Sequence, residues 1–284
     1  MKTKEKSETT NNEPAHLIRL NKFIANSGYL ARRKVDELIE TGRVTVNMVP
    51  VTSLGIKIDP EMDTVKIDGE LVKVKSKFLY VLLNKPKEYI TTTADERNRP
   101  IVTELINLKE RLYPVGRLDY QTEGLLLMTN DGDLANRLMH PKYGVNKTYH
   151  VKLSKAIDEV RVNKLKAGIK IDGRRTSEAD VTVIPDTHEH ELLITIHEGR
   201  NRQIRKMVEA MGLFVRKLKR IEYAGLKIEN LKSGAWRYLN ATEVADLKSQ
   251  VSKEVVTEKR VEKKAPRRIR RTTARTTVKA VKKV

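Results

Sequence analysis

Gly116-Arg117-Leu118-Asp119-Tyr120-Gln121-Thr122-Glu123-Gly124-Leu125-Leu126-Leu127-Met128-Thr129-Asn130-Asp131-Gly132 is the stretch on which the reading of this chain turns. It sets an acidic residue, Asp119, directly after Arg117-Leu118 and just before a run too apolar to remain in water, so the carboxylate lies at the edge of a core. A lone carboxylate there is costly unless partnered, because desolvation disfavours its ionised form. Arg117, two residues earlier, projects to the same side as Asp119 on an extended segment. Asp131 and Asp133, beyond the apolar run, read as turn and helix-cap residues.

Composition narrows the partners. The 284 residues carry a net charge of +20, enough chain for a sizeable core in two domains and a surface that favours polyanions, nucleic acid first. The surplus is uneven: residues 253–284 hold thirteen Lys and Arg against three Glu, half of the whole excess. With no cysteine, disulfides and thiolate metal sites are excluded, which fits a reducing cytoplasm. Apolar runs such as Phe78 to Leu83 fall far short of a membrane span, and the first twenty residues mix acidic and basic side chains, unlike a secretory signal. A soluble, cytoplasmic, RNA-binding protein without a membrane segment is the expectation.

Residues 1–16 lack an apolar period and read as a disordered leader. Leu20, Phe23 and Ile24 then recur at helical spacing up to Gly28, and Val35, Leu38 and Ile39 up to Gly42. Short strands follow where Val44 and Val46, Val49 and Val51, Ile56 and Ile58, and Val65 and Ile67 alternate with polar residues, with a tight turn at Asp68-Gly69. Lys73 to Lys77 is a basic linker. A second domain, 78–249, opens with a buried strand at Phe78 to Leu83. Further strands are expected at 147–153, 179–183, 192–197 and 215–223, and helices at 100–108, 133–139, 156–166, 202–211 and 242–247. Strands scattered among helices and hairpins imply an α+β domain on a mixed, mostly antiparallel sheet. Residues 250–284, rich in Lys, Arg, Thr, Ala and Val, read as a disordered basic tail.

Two short helices followed by a hairpin-rich sheet, over Leu17 to Lys73, resemble the S-four-like RNA-binding domain shared with a small-subunit ribosomal protein. The resemblance implies that Arg19, Lys22, Arg32, Arg33, Lys34 and Arg43 face a phosphate backbone, where scattered charges alone would read as a solvated face. Met48 departs from it, since glycine often follows the asparagine there, and a different turn type is implied.

The stretch from Gly116 to Gly132 closely resembles the catalytic motif of the RsuA-type pseudouridine synthases, which isomerise uridine in ribosomal RNA. The resemblance extends from about Leu17 to Leu247 and is strongest to the RluB-type members acting on large-subunit RNA. It implies that Asp119 is the essential carboxylate, although an arbitrary loop Asp would be a turn cap. Arg117 would help extrude the target base, or else contact a phosphate. Tyr149, in Lys147-Thr148-Tyr149, would stack on the uracil. In Glu198-Gly199-Arg200-Asn201-Arg202-Gln203-Ile204-Arg205-Lys206-Met207, Arg205 would pair with Asp119 and keep it ionised, Ile204 would floor the pocket, and Arg200 and Arg202 would contact the RNA backbone.

Such chemistry breaks the N1–C1′ bond, turns the base and rejoins it through C5, so neither metal nor organic cofactor is expected. The partner implied is ribosomal RNA or a pre-ribosomal particle, met by a monomer. Lys85-Pro86-Lys87-Glu88-Tyr89 also resembles the family, with Glu88 where glycine is common. Trp236 reads as core. A non-catalytic ribosome-assembly factor is the rival reading, disfavoured by the joint presence of Asp119, Tyr149 and Arg205. A glycosidase-like hydrolase would need a second carboxylate across the bond, and Glu123 is poorly placed for it.

Overall fold

A computed structural model describes residues 17–73 and 77–252; the expected leader, the centre of the basic linker and the tail from 253 lie outside the described residues. The first domain is built as its periodicities require. β1 (Ile18–Arg19) leads into α1 (Leu20–Asn26), and α2 (Arg32–Glu40) follows after a turn. Leu20, Phe23 and Ile24 of α1 and Val35 and Ile39 of α2 bury one stripe each against a small sheet. That sheet comprises β2 (Val44–Val46), β3 (Val49–Val51), β5 (Val65–Ile67) and β6 (Glu70–Leu71) in the order β3-β2-β5-β6, while β4 (Lys57–Ile58) pairs with β1. The β2–β3 turn places Asn47 and Met48 at φ 51° and 70°. Two successive left-handed residues define the tight turn that suits a twisted hairpin, so Met48 occupies a position where glycine is at ease.

The second domain carries a sheet whose central path is β13-β14-β10-β15-β9-β7-β17. Its strands are β7 (Tyr80–Lys85), β8 (Tyr113–Pro114), β9 (Glu123–Thr129), β10 (Lys147–Leu153), β13 (Asp180–Val183), β14 (Glu191–Ile196), β15 (Val215–Tyr223), β16 (Leu226–Lys227) and β17 (Trp236–Tyr238), with β11 (Lys170–Ile171) and β12 (Arg174–Arg175) forming a separate hairpin. The helices are α3 (Gly132–Met139), α4 (Glu159–Lys166), α5 (Gln203–Glu209) and α6 (Ala241–Ser252). One pairing, β15 with β9, is parallel, and the other strand pairs are antiparallel. β15 is the seam of the molecule, because it alone joins the half-sheet β13-β14-β10 to the half-sheet β9-β7-β17.

β7 and β9 divide two cores between them. Val81, Leu83, Leu126 and Met128 face one, with α4 and α5; Tyr80, Leu82, Leu125 and Leu127 face the other, with α3 and α6. The apolar run after Asp119, assigned no element from sequence, is therefore a strand buried on both faces. Asp131 caps α3, its side chain accepting the Leu134 N–H. Trp236 packs partly buried against the first core, as expected.

Several boundaries differ from expectation. The opening strand starts at Tyr80, with Phe78 half exposed. The helix expected over 100–108 is a single 3-10 turn, Val102–Leu105, because Ile101 just before it is tied by a bridge to Ile90. α6 runs three residues past the boundary expected at 249, since Val251 is buried in the second core.

Candidate active site

The segment bearing Asp119 is held by its backbone. Thr91 Oγ1 donates to the Leu118 carbonyl at 2.8 Å and accepts the Leu118 N–H at 3.2 Å. The carbonyl of Asp119 accepts the Thr122 N–H at 3.0 Å, and that of Tyr120 accepts the Glu88 N–H at 2.8 Å. The Gln121 carbonyl takes Arg205 Nη2 at 3.2 Å, and the Thr122 carbonyl takes Lys85 Nζ at 2.9 Å. Five consecutive carbonyls thus have named donors drawn from β7, its following loop, α5 and the segment itself. Leu118 is buried between them, leaving Asp119 half-buried and Arg117 exposed on the cleft.

Glu88 meets its part by adopting φ 65°, so the turn normally given to glycine is kept with a side chain that strains it. Lys85 is fully buried, and its second acceptor is the Pro86 carbonyl at 2.8 Å. Burial pushes its ammonium down to about 8, against the pull of the Asp119 and Glu123 charges.

Asp119 opens onto a cleft of about 680 Å³ that also receives Arg117, Tyr149, Arg202, Ile204 and Arg220. Tyr149, on β10, stands opposite Arg220 on β15 and is 9 % exposed. α5 begins at Gln203, just after Arg202 at φ 51°, and delivers Ile204 to the cleft and Arg205 behind it. The expected Arg205–Asp119 ion pair is not formed. Arg205 gives Nη1 to the Val215 carbonyl and Nη2 to the Gln121 carbonyl, both at 3.2 Å, so the guanidinium fork is occupied by backbone oxygens. Burial and the Arg202 charge lower its proton affinity; Asp119 acts on it only through its field, in the opposite direction.

Among the other basic candidates, Lys22 is bound to Asp133 of α3 at 2.5 Å, Lys34 to Glu37 at 2.9 Å, and Arg43 to Asp68 through two hydrogen bonds. Arg19, Arg32 and Arg33 are exposed and have no ion pair among the described residues. Arg200 fastens the β11–β12 hairpin through the Arg174 and Arg175 carbonyls and pairs with Glu198; Arg202 is exposed at the rim. Among the described residues no group of three His, Asp or Glu gathers to hold a metal ion, and no helix is long and apolar enough to cross a membrane. Sequence reading missed Thr91, Lys147 and Arg220 in the cleft, and gave Lys85 no role. Only burial distinguishes Arg220 from the exposed cations of its strand.

Comparison with known proteins identifies the family. Residues 79–210 match the family model described as RNA pseudouridylate synthase, and residues 18–65 match the S4 domain. A Bacillus subtilis protein called ribosomal large subunit pseudouridine synthase B is 43 % identical over 235 residues, covering 81 % of this chain and 96 % of its own. An Aquifex aeolicus RNA pseudouridine synthase is 41 % identical over 246 residues, covering 86 % and 98 %. A pseudouridylate synthase crystal structure superposes with a TM-score of 0.60 at 31 % identity, covering 81 % of this chain and 99 % of that one. With a carboxylate held at the mouth of a cleft, an RNA-binding domain ahead of it and relatives matched over nearly their whole length, the chain belongs to the RNA pseudouridine synthase family.

Proposed function

We propose that the protein isomerises one uridine of large-subunit ribosomal RNA to pseudouridine, acting as a monomer in the cytoplasm, with Asp119 as the essential carboxylate. The observation that carries this reading is the clamped segment 118–122, which presents a half-buried carboxylate to a cleft wide enough for a nucleotide. The target nucleotide leaves its stack, at a cost of a few kcal/mol that is least in a loop or bulge. Stacking on Tyr149 returns about 1–3 kcal/mol, and Ile204 supplies the apolar floor. Arg117, exposed beside Asp119, enters the space the base has left.

Asp119 then acts at the sugar, as nucleophile or as base, while the C1′–N1 bond breaks; the base turns, C5 bonds to C1′, and the C5 proton departs. Arg205 serves as a positioning residue, holding the Gln121 carbonyl and so the aim of Asp119. Arg19, Arg32, Arg33 and Arg202 contact phosphate. Family membership favours the isomerase over a non-catalytic assembly factor. The test is pseudouridine-specific chemical mapping of ribosomal RNA from cells with and without the protein. Loss of one large-subunit signal is expected; an unchanged map overturns the reading, and loss in small-subunit RNA corrects the substrate.

A further inference from the structure

Two cations in the walls of the cleft have no part in the roles above. Arg220, on β15, is 2 % exposed; its Nε donates to the Leu125 carbonyl at 2.7 Å and its guanidinium lies 4.8 Å from the Tyr223 ring centroid. Its Nη2 is sealed from solvent and has no acceptor. Lys147, half-buried at the start of β10, gives Nζ to the Val145 carbonyl at 3.0 Å. Neither cation has an ion-pair partner among the described residues. The carboxylate nearest in effect, Glu198, is engaged by the Ser177 N–H, Gln203 and Arg200. Burial, with the Arg220 charge beside it, pushes Lys147 down to about 8.

Two like charges set into a pocket wall with an unused N–H are costly, and their cost is recovered only when negative charge arrives. Across β10 and β15, Arg220 stands opposite Tyr149 and Tyr223 opposite Lys147, so both cations flank the ring placed against uracil. In a flipping site the base enters the pocket, so a charge that reaches this depth belongs to the base.

Breaking C1′–N1 generates such a charge. The bonding pair leaves with N1 and spreads over N1, O2 and O4, while Asp119 acts at the sugar. We propose that Arg220, with Lys147 beside it, stabilises the negative charge of the detached uracil across the cleft wall until C5 attaches to C1′. The charge disappears when C5 bonds to C1′, C5 loses its proton and N1 takes one up; no oxidant, reductant or cofactor enters the balance.

This inference rests on the isomerase reading, and its test separates the two. Arg220→Gln and Lys147→Gln, in the full chain, are given a ribosomal RNA fragment whose target position carries either uridine or 6-azauridine. The ring nitrogen of the latter base is more acidic, so it departs with less help. Tritium release from C5 in a single turnover reports the rate, and filter binding reports RNA affinity. Arg220→Gln is expected to lose on the order of a hundredfold on uridine and distinctly less on 6-azauridine, with affinity within a few-fold. Lys147→Gln moves in the same direction by a smaller factor, and because its side chain is half-exposed it carries the test if Arg220→Gln does not fold. Equal losses on the two bases overturn the proposal, as does an affinity that falls in step with the rate. If the wild-type protein releases no tritium from uridine, the isomerase reading itself falls.

Discussion

Asp119 and Arg205 act through different atoms of one short segment. Asp119→Asn keeps the size and the backbone bonds of that segment and removes the charge, while RNA affinity is spread over many cations. The expected outcome is loss of isomerisation with affinity within a few-fold, read by tritium release and filter binding; turnover near the wild-type rate would contradict the assignment. Arg205→Met instead leaves the Gln121 and Val215 carbonyls without their donor. It should cost about 1–3 kcal/mol of stability and lower turnover, with Arg205→Lys recovering part of both in urea unfolding and single-turnover assays. An ion pair with Asp119 would instead predict a shifted acid limb of the activity profile in Arg205→Met. The candidate carboxylate, aromatic and cation were named in the sequence through the family resemblance. Which acceptors Arg205 meets was not legible there, since backbone carbonyls leave no mark in a sequence. Arg220 was hidden among Arg216, Lys217 and Lys219, and only the fold singles it out by burial.

β9 and β15 touch at their one parallel contact, Lys219 opposite Glu123 and Arg220 opposite Gly124. Gly124 has φ 112°, and a Cβ there would lie 2.2 Å from the Arg220 carbonyl oxygen, a backbone atom that cannot yield cheaply. Gly124→Ala should therefore destabilise the protein by about 3 kcal/mol or more, combining backbone strain and overpacking, measured as a lowered urea midpoint. Unchanged stability would mean that the strands do not approach so closely. Glu88→Gly works the other way, relieving φ 65° at the turn that holds Tyr120; a gain of about 0.5–1 kcal/mol is expected from the same assay. The alternating strands and capped helices could be read directly. β9 could not be assigned, since a strand buried on both faces is a continuous apolar run without period. The 3-10 turn at Val102–Leu105 misled because its apolar residues keep a helical spacing over too short a length.

At the scale of the whole molecule, two lysines and two phenols partly or fully withdrawn from water predict an alkaline optimum of stability. Lys85 and Lys147, pushed down to about 8 from 10.5, bind protons less firmly in the folded state, so the unfolded chain holds more protons between those values and stability rises with pH. Tyr113 and Tyr223, pushed up to about 12 by burial, hold theirs more firmly when folded, so stability falls above about pH 10. Urea midpoints should peak between pH 9 and pH 10.5, roughly where the two effects cross; a monotonic fall from pH 7 would refute this. The seam strand adds a constraint of timing. Residues up to Arg205 already include Asp119, Tyr149 and Arg205, yet β10 and β9 share no hydrogen bonds and meet only through β15. During synthesis the two half-sheets therefore wait as separate pieces, and pairing across such a sequence distance is slow. The two walls of the cleft, one carrying Asp119 and the other Tyr149, are therefore brought together in one sheet only by a strand that ends at Tyr223, late in the order of synthesis.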